Sequence, residues 1–138
     1  MRWFVFAVFV GLAGCSTTPT EPTQAELAAA WEAQNTFPQH YKTDLLAFLR
    51  TYLNDPTHIR DAQISEPVRK TIGPAERYVV CVRYNTRNSS GKYLGPKDAA
   101  AVYVGAKLDR FIDQAVEVKR VCSEVAMVPF PELERLQR

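Results

Sequence analysis

Histidine is nearly missing from this chain: its 138 residues include only His40 and His58, with a strongly periodic helical stretch between them. Neither belongs to a His-Glu-x-x-His or comparable mechanistic motif, so both read as surface or loop residues. The sequence also lacks a Gly-x-Ser-x-Gly elbow, a glycine-rich phosphate loop, a Cys-x-x-Cys pair and any metal-ligand spacing. With them go the residue patterns on which hydrolases, nucleotide-binding enzymes, thiol oxidoreductases and zinc proteins depend. An excess of one charge is lacking as well. Seventeen Lys and Arg against 15 Asp and Glu leave a net charge of +2, far from the balance of a nucleic-acid binder. The chain therefore reads as a non-enzyme with no catalytic residue, no cofactor, no metal and no nucleic-acid partner.

What is present begins at the amino terminus. Met1-Arg2 forms a minimal basic region, Trp3 to Leu12 is an apolar run interrupted by one Gly, and the small residues Ala13 and Gly14 precede Cys15. This pattern reads as a signal peptide over residues 1–14. The apolar run is too short to span a hydrocarbon core, which takes about 20 residues. Leu12-Ala13-Gly14-Cys15 resembles the lipobox of bacterial lipoproteins. That resemblance implies cleavage before Cys15, a thioether-linked diacylglycerol on its sulfur and usually a third, amide-linked chain. Several acyl chains anchor far more firmly than one. Ser16 stands where an inner-membrane retention signal has Asp, and similarity to sorted lipoproteins implies an outer-membrane position facing the periplasm. Residues 15–22, rich in Ser, Thr and Pro, read as a tether with nothing to bury.

With Cys15 lipidated, Cys81 and Cys122 remain as an even pair in an oxidising compartment, and a structural disulfide is the simplest account. Closing a loop of about 40 residues constrains the unfolded chain by about 4 kcal/mol in the loop-entropy model.

Residues 23–138 are enough for one domain with one modest core. Thr23-Gln24-Ala25-Glu26 reads as a capping box opening a helix to Gln34. Leu45, Phe48, Leu49, Tyr52 and Leu53 form the stripe of a second helix, with Thr43 as its expected N-cap and Asn54-Asp55-Pro56 as its stop. Ala62 to Ser65 reads as a short strand limited by Pro67, and the alternating Arg77 to Tyr84 as a central one. Asn85 to Gly91 reads as a polar connection, with Gly95-Pro96 as a further break. Ala99 to Asp113 fits either a helix or a hairpin. Val102-Tyr103-Val104 followed by Gly105-Ala106 favours a hairpin closed by a type II′ turn. Val128 to Pro131 reads as extended, and Glu132 to Gln137 as a helical turn. The expected architecture is α+β: N-terminal helices packed on a three- or four-stranded antiparallel meander in two layers.

Charge is distributed unevenly. Arg69, Lys70, Arg77, Arg83, Arg87, Lys92 and Lys97 face a single acid, Glu76, between positions 69 and 97. Either this block makes a surface for an anionic ligand, or the more acidic flanking segments pack beside it and neutralise it. Asp109, Asp113 and Glu117 recur at intervals of four and read as solvent-facing charges on the hairpin.

The lipobox, the short tether, Tyr-Val-Val-Cys-Val-Arg-Tyr-Asn at 78–85 and Pro-Phe-Pro-Glu-Leu at 129–133 together resemble small proteobacterial lipoproteins to which no activity is assigned. Helices followed by a small antiparallel sheet on a lipid tether are also similar, at the level of architecture, to accessory lipoproteins of outer-membrane assembly machines. The resemblance implies a membrane-anchored, non-catalytic envelope protein. Its expected partner is another envelope protein, met through a sheet edge or the Leu45 to Leu53 face. The alternative is an anionic polymer or glycolipid held by the basic block. Cys15→Ala is expected to move the protein from the membrane to the soluble fraction on cell fractionation, and retention in membranes would refute the lipid anchor.

Overall fold

The computed structural model describes residues 20–137, so the expected signal peptide, the expected lipidation site Cys15 and most of the expected tether lie outside the described residues. Helix α1 (Gln24–Ala33) opens with the expected capping box: the Thr23 amide donates to Glu26 at 2.7 Å, and the Glu26 amide donates to the Thr23 hydroxyl at 3.3 Å. It buries no residue fully and is held instead by polar contacts at its C-terminal end. Helix α2 (Tyr41–Tyr52) buries Leu45 and Leu49 completely. Its N-cap is His40 and not Thr43, because the chain turns as soon as it leaves Pro38 and the His40 carbonyl takes the first helical amide, that of Asp44. Thr43 is exposed inside the first turn.

The strands are β1 (Arg60–Ile64), β2 (Val68–Ile72), β3 (Ala75–Arg87), β4 (Tyr93–Val104), β5 (Lys107–Ile112) and β6 (Val128–Pro129). They form one antiparallel sheet of six strands in the order β5-β4-β3-β1-β6, with β2 also paired to β3. The expected three or four strands are exceeded because β1 and β2 share one edge of β3 end to end, β2 beside Ala75 to Val79 and β1 beside Val82 to Asn85. Buried Ser65 fills the gap before Pro67: its amide donates to the Cys81 carbonyl at 2.9 Å, and its hydroxyl accepts from the Cys81 amide at 2.8 Å.

Both faces of the sheet are covered, so the architecture is α+β with a third layer beyond the two expected. Val80, Val82 and Tyr84 of β3 and Ala99, Ala101 and Tyr103 of β4 point to α2. So do Phe130 and Leu133, the latter on the short helix α4 (Pro131–Glu134). Val79, Cys81, Ala100 and Val102 point the other way, toward Val118 and Val121 of α3 (Ala115–Cys122). The eight-residue α3 escaped the sequence reading because it buries only those two side chains fully and, apart from half-buried Cys122, is otherwise charged or exposed. Cys81 and Cys122 form the expected disulfide, with Cα atoms 5.9 Å apart, and it ties α3 to the central strand.

Ala99 to Asp113 is a hairpin, as preferred over the helix, but its turn is of the I′ kind. Gly105 has φ +55° and Ala106 has φ +63°, whereas a II′ turn needs only the first to be positive. Asn85 to Gly91 is not a loop throughout. Strand β3 runs on to Arg87, the turn is Asn88 to Lys92, and Gly95-Pro96 lie inside β4. The Asn88 side chain accepts the Ser90 and Lys92 amides at 3.0 and 2.9 Å, which makes the turn start later than composition indicated.

An L-residue in the left-handed region costs about 1–2 kcal/mol, part of which a glycine returns as unfolded-chain entropy. Ala106→Gly is therefore expected to raise stability by about 0.5–1 kcal/mol, seen as a higher urea midpoint at unchanged slope.

Candidate functional site

Strand β3 is distorted near its far end from both sides. In β4 an extra residue falls between Tyr93 and Pro96, where Gly95 has φ +96° and donates its amide to the Asn85 side chain at 2.9 Å. In β1 an extra residue falls between Arg60 and Gln63, where Asp61 has φ +54°. Two bulges flanking one strand at the level of Asn85 sharpen the local twist and turn the end of the β3–β4 hairpin toward the C-terminal end of α2. An open groove of about 1260 Å³ lies between them. Its lining is polar and aromatic, and Leu53 and Leu94 are its only aliphatic side chains among the described residues.

One wall is a cluster around Asp55. Its carboxylate accepts from the Thr57 amide at 3.0 Å, the Thr57 hydroxyl at 2.5 Å and the Arg87 guanidinium at 3.0 Å. The Thr57 and Arg87 hydrogen bonds hold its pKa down at about 2. Arg87 also reaches His58 Nδ1 at 2.8 Å, and since a guanidinium can only donate, that nitrogen accepts. His58 has φ +58°, so two non-glycine residues of the Thr57 to Asp61 segment are left-handed. The segment is pinned by the Tyr93 hydroxyl, which donates to the His58 carbonyl at 2.7 Å, and by Arg60 stacked 4.1 Å from the Tyr93 ring.

The other wall is set by Asp113, which accepts from the Tyr52 hydroxyl at 2.6 Å and from Lys97 at 3.1 Å. The Tyr52 bond lowers the Asp113 pKa and raises that of Tyr52 itself. Tyr52 is further fixed by stacking on Phe48, with ring centroids 5.1 Å apart, and by an edge contact with Phe111 at 4.9 Å. Between the walls is Tyr84, 1% exposed, whose hydroxyl has no hydrogen-bond partner. Burial first, then the nearby Tyr52 and Asp113, push its pKa well above the ordinary phenol range. Arg87 Nε is a second buried donor in the same lining without a partner.

The seven basic residues do not make one free positive surface. Arg69 bridges Glu32 of α1 at 2.6 Å and Glu76 at 2.7 Å, and Arg83 grips Asp98 with two bonds at 2.6 and 2.9 Å. Arg77 donates to the Trp31 carbonyl at 3.0 Å and the Gln34 side chain at 3.2 Å. Arg87 and Lys97 have the partners already described. Of these seven, only Lys70 and Lys92 have side chains without a hydrogen bond or ion pair. The structure thus brings Arg87 and Lys97 together in the groove, and their neutralising partners Asp55 and Asp113 come from outside the basic block. Leu45 and Leu49 of the Leu45 to Leu53 stripe are spent on the core, whereas Tyr52 stays 41% exposed and lines the groove together with Leu53; β5 is one edge of the sheet. Asp109, Asp113 and Glu117 do not act together: Asp109 is exposed at a bulge, and Glu117 pairs with Arg120 at 2.6 Å. His40 caps α2, outside the groove.

Among the described residues no group of three or more His, Cys, Asp or Glu could hold a metal ion, and no helix is long and apolar enough to cross a membrane. Comparison with protein-family models, curated proteins and solved structures matches none of them to this chain.

Because the folded-state pKa of Asp55 lies below its unfolded value, the carboxylate stabilises the fold fully above about pH 4, and this contribution is lost as pH falls toward 2. Asp55→Asn is expected to lower the urea midpoint at pH 7, and the gap from the unsubstituted protein should close between about pH 4 and pH 2. A pH-independent gap would show that the ionised form is not what holds the Arg87 wall.

Proposed function

We propose that the protein is a non-catalytic binding protein of the bacterial envelope, anchored through lipid on Cys15, that presents the groove between α2 and the β3–β4 hairpin to a component near the membrane. The observation that carries this reading is the buried, unpartnered Tyr84 hydroxyl in the groove lining. An unsatisfied buried hydroxyl costs a fold about 1–3 kcal/mol, and such groups call for a reason beyond packing. The distorted backbone at His58, Asp61 and Gly95 borders the same groove, and local strain of this kind gathers at binding sites.

The role is that of an accessory or assembly factor of the outer membrane on its periplasmic side. The lipid supplies location, the tether supplies reach, and the sheet supplies a rigid platform for the groove. Strand β5, an edge of the sheet, favours a second contact in which a protein partner adds a strand.

A photo-reactive amino acid in place of Leu94, 68% exposed on the groove rim, tests the reading in cells. Cross-linked adducts of discrete mass are expected, and their yield should collapse when Cys15→Ser is added. Absence of any adduct at Leu94, with adducts at an exposed position away from the groove such as Val116, would refute the groove as the binding surface.

A further inference from the structure

We infer that the groove recognises an acidic saccharide, with the acid group received by Tyr84, Arg87 and Lys97 and the sugar by the hairpin side of the groove. This rests on the proposed binding role and adds the chemistry of the ligand. The unused hydrogen-bonding capacity is mainly of one kind. Arg87 Nε can only donate and has no partner, the Tyr84 hydroxyl is unpaired, and Lys97 has three donors with Asp113 as the one acceptor. Lys92 adds an unpaired cation on the adjoining turn. The acidic side chains at hand are already occupied, Asp55 by Thr57 and Arg87, and Asp113 by Tyr52 and Lys97. A carboxylate or phosphate, which only accepts, meets this set of donors, and charge-assisted bonds to it are about twice as strong as neutral ones.

The remainder of the lining points to a sugar as the carrier. Binding sites usually combine apolar walls with a few placed polar groups, and this groove carries far more polar side chains than aliphatic ones. Here the hairpin contributes Thr86, Asn88 and Ser89, hydroxyl and amide groups that donate and accept as sugar hydroxyls do. Tyr52, held rigid by Phe48 and Phe111, gives a ring that a pyranose can lie against. The groove is open, which suits one unit of a chain or a headgroup.

The test uses the full chain as isolated from cells, in a non-ionic detergent, titrated with glucuronic acid, glucose 1-phosphate and glucose while backbone amide NMR shifts are followed. Saturable shifts at Tyr84, Arg87 and Asn88 with either acid and none with glucose are expected. Equal shifts with glucose would overturn the acidic requirement, and no shift with any of the three at tens of millimolar would overturn the saccharide. Tyr84→Phe should keep or raise the thermal midpoint, because it removes an unpaired hydroxyl, while weakening the acid sugars about 5- to 10-fold. An unchanged affinity would leave Tyr84 a packing residue and overturn its role. Lys97→Gln should weaken both acids while leaving the fold intact. Oligogalacturonate and lipid A dispersed in the same detergent then separate the sources, a polymer or a glycolipid, and binding of neither would overturn the inference. Adducts to a protein at Leu94 with no acid-sugar binding would sink this inference and leave the binding role standing, whereas failure of the Leu94 cross-link would sink the role itself.

Discussion

Backbone pairing along β3 organises the rest of the domain. Its thirteen residues pair with β4 on one edge and, on the other, with β2 and then β1, so this strand is held on both sides for almost its whole length. Residues alternate along it with period two, so Val80, Val82 and Tyr84 enter one core while Val79 and Cys81 enter the other. A slip of one residue would exchange the two cores, bring Tyr84 out of the groove and part Cys81 from Cys122. The disulfide and the Ser65 bridge reinforce this register at the point where β1 gives way to β2.

The groove follows from where that regular pairing fails. Bulges in β1 and β4 on either side of Asn85 bend the hairpin end, and the C-terminal end of α2 packs beside it. Asp55 and Asp113 come from segments far apart in sequence, and each satisfies a basic residue of the hairpin while leaving other donors open. Rigid elements thus hold polar groups whose needs the protein itself does not meet, an arrangement suited to binding.

Charge illustrates how a composition signal changes on folding. The block from Arg69 to Lys97 is basic in sequence, yet strand alternation scatters its members over two faces and several edges. Glu32, Glu76, Asp55, Asp98 and Asp113 then pair with four of them. Arg77 serves as a clamp on α1, where it satisfies the Trp31 carbonyl at the helix end.

Local patterns in the chain were sufficient for the capping box at Thr23 to Glu26, the buried stripe of α2, the centrality of the Arg77 to Tyr84 strand and the Cys81–Cys122 bond. Each rests on periodicity or counting, which the order of residues specifies directly. Helix α3 and strand β2 were not legible, since two buried valines or a few residues beside a proline carry too little periodicity to be read, and at Val128 to Pro131 the extended backbone was legible but not the pairing of β6 with β1. The left-handed Ala106 and the extension of β3 through Thr86 and Arg87 also escaped, because hairpin twist and the Asn88 turn decided them. The site was the least visible part. Tyr84 read as one more strand aromatic and Arg87 as one of seven bases, and only the tertiary structure left the hydroxyl of one and the Nε of the other buried and unpaired. Sequence determines which groups can form hydrogen bonds, whereas which of them lack partners is decided by contacts between residues tens of positions apart.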